Sequence, residues 1–270
     1  MPKDACDAHV HVFGPSDRFP YVEDRRYSPK DVTKQDLAAL HRILGIDRSV
    51  LVQPTCHGTD NRAMLDALAW AQGRYRGVAL LTGGESDGEL DGMARAGVRG
   101  VRLNFLRHLG GAPDLTTARR VIDRAAELGW HVQLHFDASG LIEFDDFIRA
   151  IEIPFVIDHM GRIPAADGVN QPPFLALLRL QELPNCWVKV SGADRISAQG
   201  SPYHDAAPFA RAVLERAPDR VVWGTDFPHP MLRLPPDNPA LVDLVPSIAE
   251  DAVVRHKLLV ENPARLYGFD

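Results

Sequence analysis

Apolar and polar positions along this chain alternate between two periods. Short apolar runs rich in β-branched residues, four to seven long, occupy 6–12, 49–53, 77–81, 100–103, 131–136, 155–158, 187–190 and 220–223. Between them apolar residues recur at helical spacing, over 35–44, 61–71, 89–96, 116–128, 142–150, 173–181, 205–216 and 248–259. Punctuation supports the helices: Asp60 stands where it can cap the second, and Gly97 follows the end of the third. A strand followed by a helix, eight times over, predicts βα units and a parallel sheet. A doubly wound sheet would want a glycine-rich turn after the first strand, and none is present. The pattern therefore predicts an α/β fold, a single (β/α)8 TIM barrel, with 1–270 as one domain. Stretches 14–29 and 162–173 carry proline and glycine and read as long βα loops, which build the active face of a barrel.

Composition narrows the function without naming it. Of 270 residues 45% are hydrophobic and 24% charged, as in ordinary globular chains. Thirty basic against 36 acidic residues leave a formal charge of −6, with no basic block to suggest a nucleic-acid partner. No apolar run approaches the roughly 20 residues that span a bilayer. The opening MPKDACDAHVHVF lacks the charged-then-apolar pattern of a signal peptide. Cys6, Cys56 and Cys186 lie in or beside apolar runs and read as reduced, buried thiols, so the expected setting is cytoplasmic. Oligomeric state is not legible at this level.

Candidate chemistry collects at the carboxyl ends of the predicted strands. His9 and His11 close the first, and their i, i+2 spacing puts both rings on one side. His135 closes the fifth, His159 follows the sixth and Asp226 follows the eighth. A lone histidine is most often a satisfied core or surface residue. Five metal-competent or acid–base groups at one mouth of a barrel are hard to ascribe to chance.

A His-x-His after strand one, histidines after strands five and six and an aspartate after strand eight resemble the amidohydrolase superfamily. The bridging lysine that many members carry on strand four has no counterpart in VRGVRLNF, which argues against a binuclear metal centre. The strings DAHVHVFGP, LVQPTCHGTDN, GVRGVRLNFL, VIDHMGR, WGTDFPHP and ENPARLYGF are similar to the branch of 2-pyrone-4,6-dicarboxylate lactonase and related sulfomuconolactone and sugar-acid lactonases. That resemblance implies hydrolysis of a small anionic, carboxylated lactone, of the kind met in aromatic catabolism. Asp226 would be the general base, ionised at neutral pH, or else a structural partner of Arg195. His9, His11 and His159 would donate to the developing oxyanion or hold a metal that does so.

The resemblance also implies substrate anchors. Arg102 and Arg195 match arginines that bind substrate carboxylates, and guanidinium pairs well with such groups. Arg107 and Arg162 lie in the same loops. Tyr27, Thr55 and His57 match pocket positions that give hydrogen bonds, although Thr55 and His57 also suit a cap for the helix near 61. Two departures stand out: His108 replaces a carboxylate-binding arginine, and His135 replaces a tyrosine. One fixed cation fewer makes a sulfomuconolactone or a monocarboxylate lactone a rival substrate. His135 opens a metal alternative, with His9, His11, His135 and Asp226 as ligands to one divalent ion such as zinc; the other alternative is no metal. A decarboxylase or lactone isomerase on the same scaffold, a non-enzymatic binder of small acids, and ordinary amide or phosphotriester hydrolysis are the remaining readings.

Overall fold

A computed structural model describes residues 1–232 and 236–270. Eight parallel strands form one sheet in chain order: β1 Cys6–Val10, β2 Arg48–Val52, β3 Tyr75–Ala79, β4 Val98–Asn104, β5 His131–His135, β6 Phe155–Ile157, β7 Cys186–Val190 and β8 Val221–Trp223. All eight runs read from the sequence are strands, with ends moved by one or two residues. Helices lie between the strands, so the architecture is the expected (β/α)8 barrel. The three cysteines are free and buried.

Strand parity divides two interiors. One alternate set packs outward under the helices, with Leu51, Val101, Leu134, Val188 and Val190 in the large core. The other set points inward: Cys6, Ala8, Val50, Val52, Val78, Val156, Trp187 and Val222 form a separate buried cluster with Tyr267. Apolar residues on both faces explain why the strands read as near-continuous hydrophobic runs. Followed toward the carboxyl ends, the inward parity turns polar. Val156 gives way to Asp158, and Trp187 to Lys189 and then Ser191, all five buried. At the opposite end the terminal helix Asn262–Tyr267 lays its fully buried tyrosine against the lumen.

β8 meets β1 without a regular ladder. The seam is made just beyond β8, where Asp226 N donates to the His9 carbonyl (2.9 Å) and His11 N to the Phe227 carbonyl (2.8 Å). Below them Asp7 accepts from Thr225 N at 2.9 Å and from Thr225 Oγ1 at 2.5 Å. Gly224 permits this approach, because a Cβ there would stand 2.6 Å from His9 N.

Two predicted helices are broken in the structure. The run 142–150 divides at Phe144, which turns its ring to within 4.9 Å of Phe105 and ends Gly140–Glu143 before Asp145–Arg149 begins. The run 248–259 is interrupted after Ile248. Asp251 starts a new helix, Ala252–His256, by accepting from Val253 N (2.7 Å) and Val254 N (3.1 Å). The Asp60 carboxylate accepts from Arg62 N at 3.1 Å, and Gly97 ends its helix at φ 104°, as the sequence suggested.

Candidate active site

The residues that begin far apart in sequence meet at the β8–β1 seam. Asp226 has a left-handed backbone, φ 68°, which lifts its carboxylate over the mouth of the barrel. His159 also takes that conformation, φ 52°, just past β6. The Nε2 atoms of His11, His9 and His159 lie 3.3, 3.6 and 3.9 Å from Asp226 Oδ1. Its second oxygen accepts from Arg195 Nε at 2.5 Å. Arg195 comes from the short helix Ala193–Ile196 after β7. All four of His9, His11, His159 and Asp226 are buried.

The outer nitrogens of the rings are wired differently. His11 Nδ1 contacts the Val52 carbonyl at 2.7 Å. A carbonyl only accepts, so Nδ1 carries a proton, while Nε2 faces Asp226 Oδ1. His159 Nδ1 pairs with Ser191 Oγ at 2.8 Å. His9 Nδ1 faces Lys189 Nζ at 3.0 Å, and the same ammonium lies 3.0 Å from Asp158 Oδ1. Asp158 Oδ2 takes Arg102 Nε at 3.0 Å, and Arg102 reaches His135 Nδ1 at 2.8 Å.

Burial decides most protonation states. It pushes His9 down to about 3, helped by the Lys189 charge, and holds His135 and His159 well below the ordinary imidazole value. Burial alone would raise the Asp226 carboxyl. The Arg195 charge outweighs it and holds Asp226 well below the usual carboxylate range. Asp158 is held low in the same way by Lys189 and Arg102. The centre therefore presents His9, His135 and His159 as neutral rings near an ionised aspartate.

Over this centre opens a pocket. Its lining includes His11, His135, His159 and Asp226 together with Arg102, Arg162, Arg195, Tyr27, Thr55 and His108. Among the described residues three guanidinium groups against one carboxylate make the lining cationic on a chain whose formal charge is −6. Burial keeps the Tyr27 hydroxyl protonated, so it is a neutral donor. Arg107 is not part of the lining; its side chain is 86% exposed beside Glu143. His57 also stands outside the lining and does not cap the following helix. Its Nδ1 meets the Pro20 carbonyl at 3.2 Å and its Nε2 accepts from Gly14 N at 3.4 Å, so both nitrogens serve the long loop.

The expected metal set is regrouped. His9, His159 and Asp226 place ligand atoms within 4.8 Å of one another, a group that could hold an ion by spacing. His11 and His135 of the expected set are not in that group, and His135 Nδ1 is engaged by Arg102. Proton placement disagrees with the spacing. Burial lowers Lys189 while Asp158 opposes that shift; paired with this carboxylate as an ammonium it only donates, so the proton of His9 lies on Nε2, the atom a metal needs bare. Lys189 and Arg195 also set two positive charges against the group. A resident metal does not fit His9 as wired.

Lys189, Asp158 and Ser191 were not singled out from the sequence. A lysine at inward parity in CWVKV was the available signal, since an ammonium buried there requires an acidic partner.

A model of the family described as Amidohydrolase matches residues 6–269. The chain is similar to 2-pyrone-4,6-dicarboxylate hydrolase of Comamonas testosteroni, at 46% identity over 99% of this chain and 91% of that protein. It is similar to 4-sulfomuconolactone hydrolase of Rhizobium radiobacter, at 44% identity with the same coverage, 99% and 91%. A solved structure from Acinetobacter baumannii with citric acid bound superposes with TM-score 0.88 at 28% identity, covering 98% of this chain and 100% of that one.

Proposed function

The chain belongs to the amidohydrolase family, and from that premise we propose that it hydrolyses a small lactone bearing one or more carboxylate or sulfonate groups. The observation that carries this reading is the ring of three imidazole Nε2 atoms, 3.3 to 3.9 Å from one oxygen of a buried aspartate, beneath a pocket lined by three arginines. The arginines suit an anionic substrate, and the relatives named above act on lactones of that charge. Citrate in the Acinetobacter structure is likewise a polycarboxylate.

The residues divide the labour as follows. A water beside Asp226 Oδ1 gives one hydrogen to that carboxylate, next to His11 Nε2. Its lone pair is left toward the lactone carbonyl carbon. As the new C–O bond forms, Asp226 takes the proton and charge gathers on the carbonyl oxygen. His9 Nε2–H donates to that oxygen from a site where burial strengthens the interaction. Collapse breaks the ring C–O bond, and the leaving oxygen recovers the proton from Asp226. A new carboxylate results, and its ionisation releases one proton at neutral pH. Arg195 and Arg102 orient the substrate acid groups, with Arg162 and His108 at the rim, and Tyr27 and Thr55 give neutral hydrogen bonds. No step requires a metal, so turnover is expected to survive exhaustive treatment with a chelator.

The test is an absorbance screen of 2-pyrone-4,6-dicarboxylate, 4-sulfomuconolactone, muconolactone and sugar-acid lactones, with proton release recorded in parallel. Loss of the conjugated lactone with one proton per turnover supports the reading. Isomerisation without acid, or release of carbon dioxide, would replace it with the isomerase or decarboxylase alternative.

A further inference from the structure

Among the described residues Lys189 is the one lysine with a fully buried side chain. Its ammonium touches two acceptors, His9 Nδ1 and Asp158 Oδ1, each at 3.0 Å. A competing arrangement would run a proton from His9 Nδ1 to Asp158 Oδ1. That separation is 3.6 Å, too long for a hydrogen bond, and the lysine head already contacts both atoms. An ammonium has three donors and no acceptor, so Nδ1 is obliged to accept. In a neutral imidazole the remaining proton then sits on Nε2. That atom is buried just beneath the pocket lining, faces Asp226 Oδ1 from 3.6 Å and has no hydrogen-bond partner among the described residues, so its proton is uncommitted. His11 shows the opposite wiring, with Nδ1 donating to the Val52 carbonyl at 2.7 Å.

We infer that Lys189 is a positioning residue that fixes the proton of His9 on Nε2, so that His9 acts as a hydrogen-bond donor in this centre and not as a metal ligand. The inference deepens the proposed lactone hydrolysis and rests on it for what His9 donates to. Asp158 completes the device: with Arg102 on its other oxygen, it keeps the ammonium paired in a site without solvent. Chains that share the imidazole and aspartate positions but lack this lysine would leave His9 Nε2 open to a metal.

The experiment is nitrogen-15 NMR of the histidine side chains, with the His9→Gln protein used to assign the His9 signals. In the unmodified protein His9 is expected as the Nε2–H tautomer, with Nδ1 bare. In Lys189→Met the proton is expected on Nδ1, toward Asp158. That variant dialysed against zinc should take up about one ion per chain where the parent takes up almost none. Its kcat on the lactone should fall on the order of 10²-fold, the usual cost of one lost oxyanion donor, with KM little changed. Lys189→Arg, which keeps a donor cation, should preserve the parental tautomer and zinc content. A parental Nδ1–H tautomer overturns the inference, as does Lys189→Met with unaltered tautomer and zinc uptake. If Lys189→Met does not fold, the parental spectrum decides alone. Failure of every lactone in the screen would sink the proposed activity while leaving the tautomer result standing, so the two failures are distinguishable.

Discussion

Arg195 carries two duties. Its Nε edge holds Asp226 ionised at 2.5 Å, while among the described residues both Nη atoms reach only the Pro230 carbonyl at 3.4 Å, on the edge that faces the pocket. In the proposed reaction a substrate acid group would sit there and compete with Asp226 for the guanidinium. Arg195→Met is therefore expected to raise KM for a carboxylated lactone at least about tenfold, and to leave KM for its neutral ester nearly unchanged. Steady-state kinetics on the pair checks this; equal KM changes would mean that Arg195 serves Asp226 alone. The chemistry-bearing side chains were legible at this scale because barrels place them at strand ends, where His9, His11, His159 and Asp226 fall. What stayed hidden was connectivity. Nothing in VIDHMGR or CWVKV says that Asp158 and Lys189 share a contact, and the metal ligand set drawn with His135 failed to anticipate the Arg102 contact. His57 shows the same limit, since a loop contact decided its partners.

At the level of elements, the seam between β8 and β1 matters most. Closing the barrel and assembling the centre are one event there, because the backbone bonds of Asp226 and Phe227 to β1 bring the carboxylate over His9 and His11. Gly224→Ala would press a methyl to within 2.6 Å of His9 N and 2.8 Å of His9 Cβ. It is expected to destabilise the fold by about 1–3 kcal/mol, the usual range for overpacking. By prising β1 from β8 it should also lower kcat on the order of 10²-fold. Calorimetry and lactone kinetics on the variant test this, and wild-type kcat would show that the seam does not set the geometry. The strands were readable because residues buried on two faces must be apolar, whatever their register. Helix breaks at Phe144 and Asp251 were not, since one depends on a distant ring and the other on a cap inside an apolar stretch.

For the molecule as a whole, the cost of this design is acid sensitivity. His9 and His131 are pushed down to about 3 by burial and the Lys189 charge, and burial holds His135 and His159 well below their ordinary value. The unfolded chain protonates its histidines near pH 6.5, so it binds protons that the folded chain refuses. Stability is thus complete above about pH 6.5 and is lost as pH falls toward the folded values. Between pH 6.5 and 5.5 the loss is roughly 1 kcal/mol for each of these four histidines, a fall in Tm on the order of 10 °C. Asp158 and Asp226, held low, add to it only below about pH 4. A Tm that is flat across this interval would mean that these rings are not kept neutral. The barrel was legible from its alternation, whereas the neutral state of its histidines needed their burial to be known. The central claim, that Asp226 withdraws the proton from the attacking water, is tested most directly by kcat of Asp226→Asn on the lactone found in the screen. A loss of about 10³-fold or more with product affinity retained is the predicted result. Turnover within tenfold of the parent would contradict it.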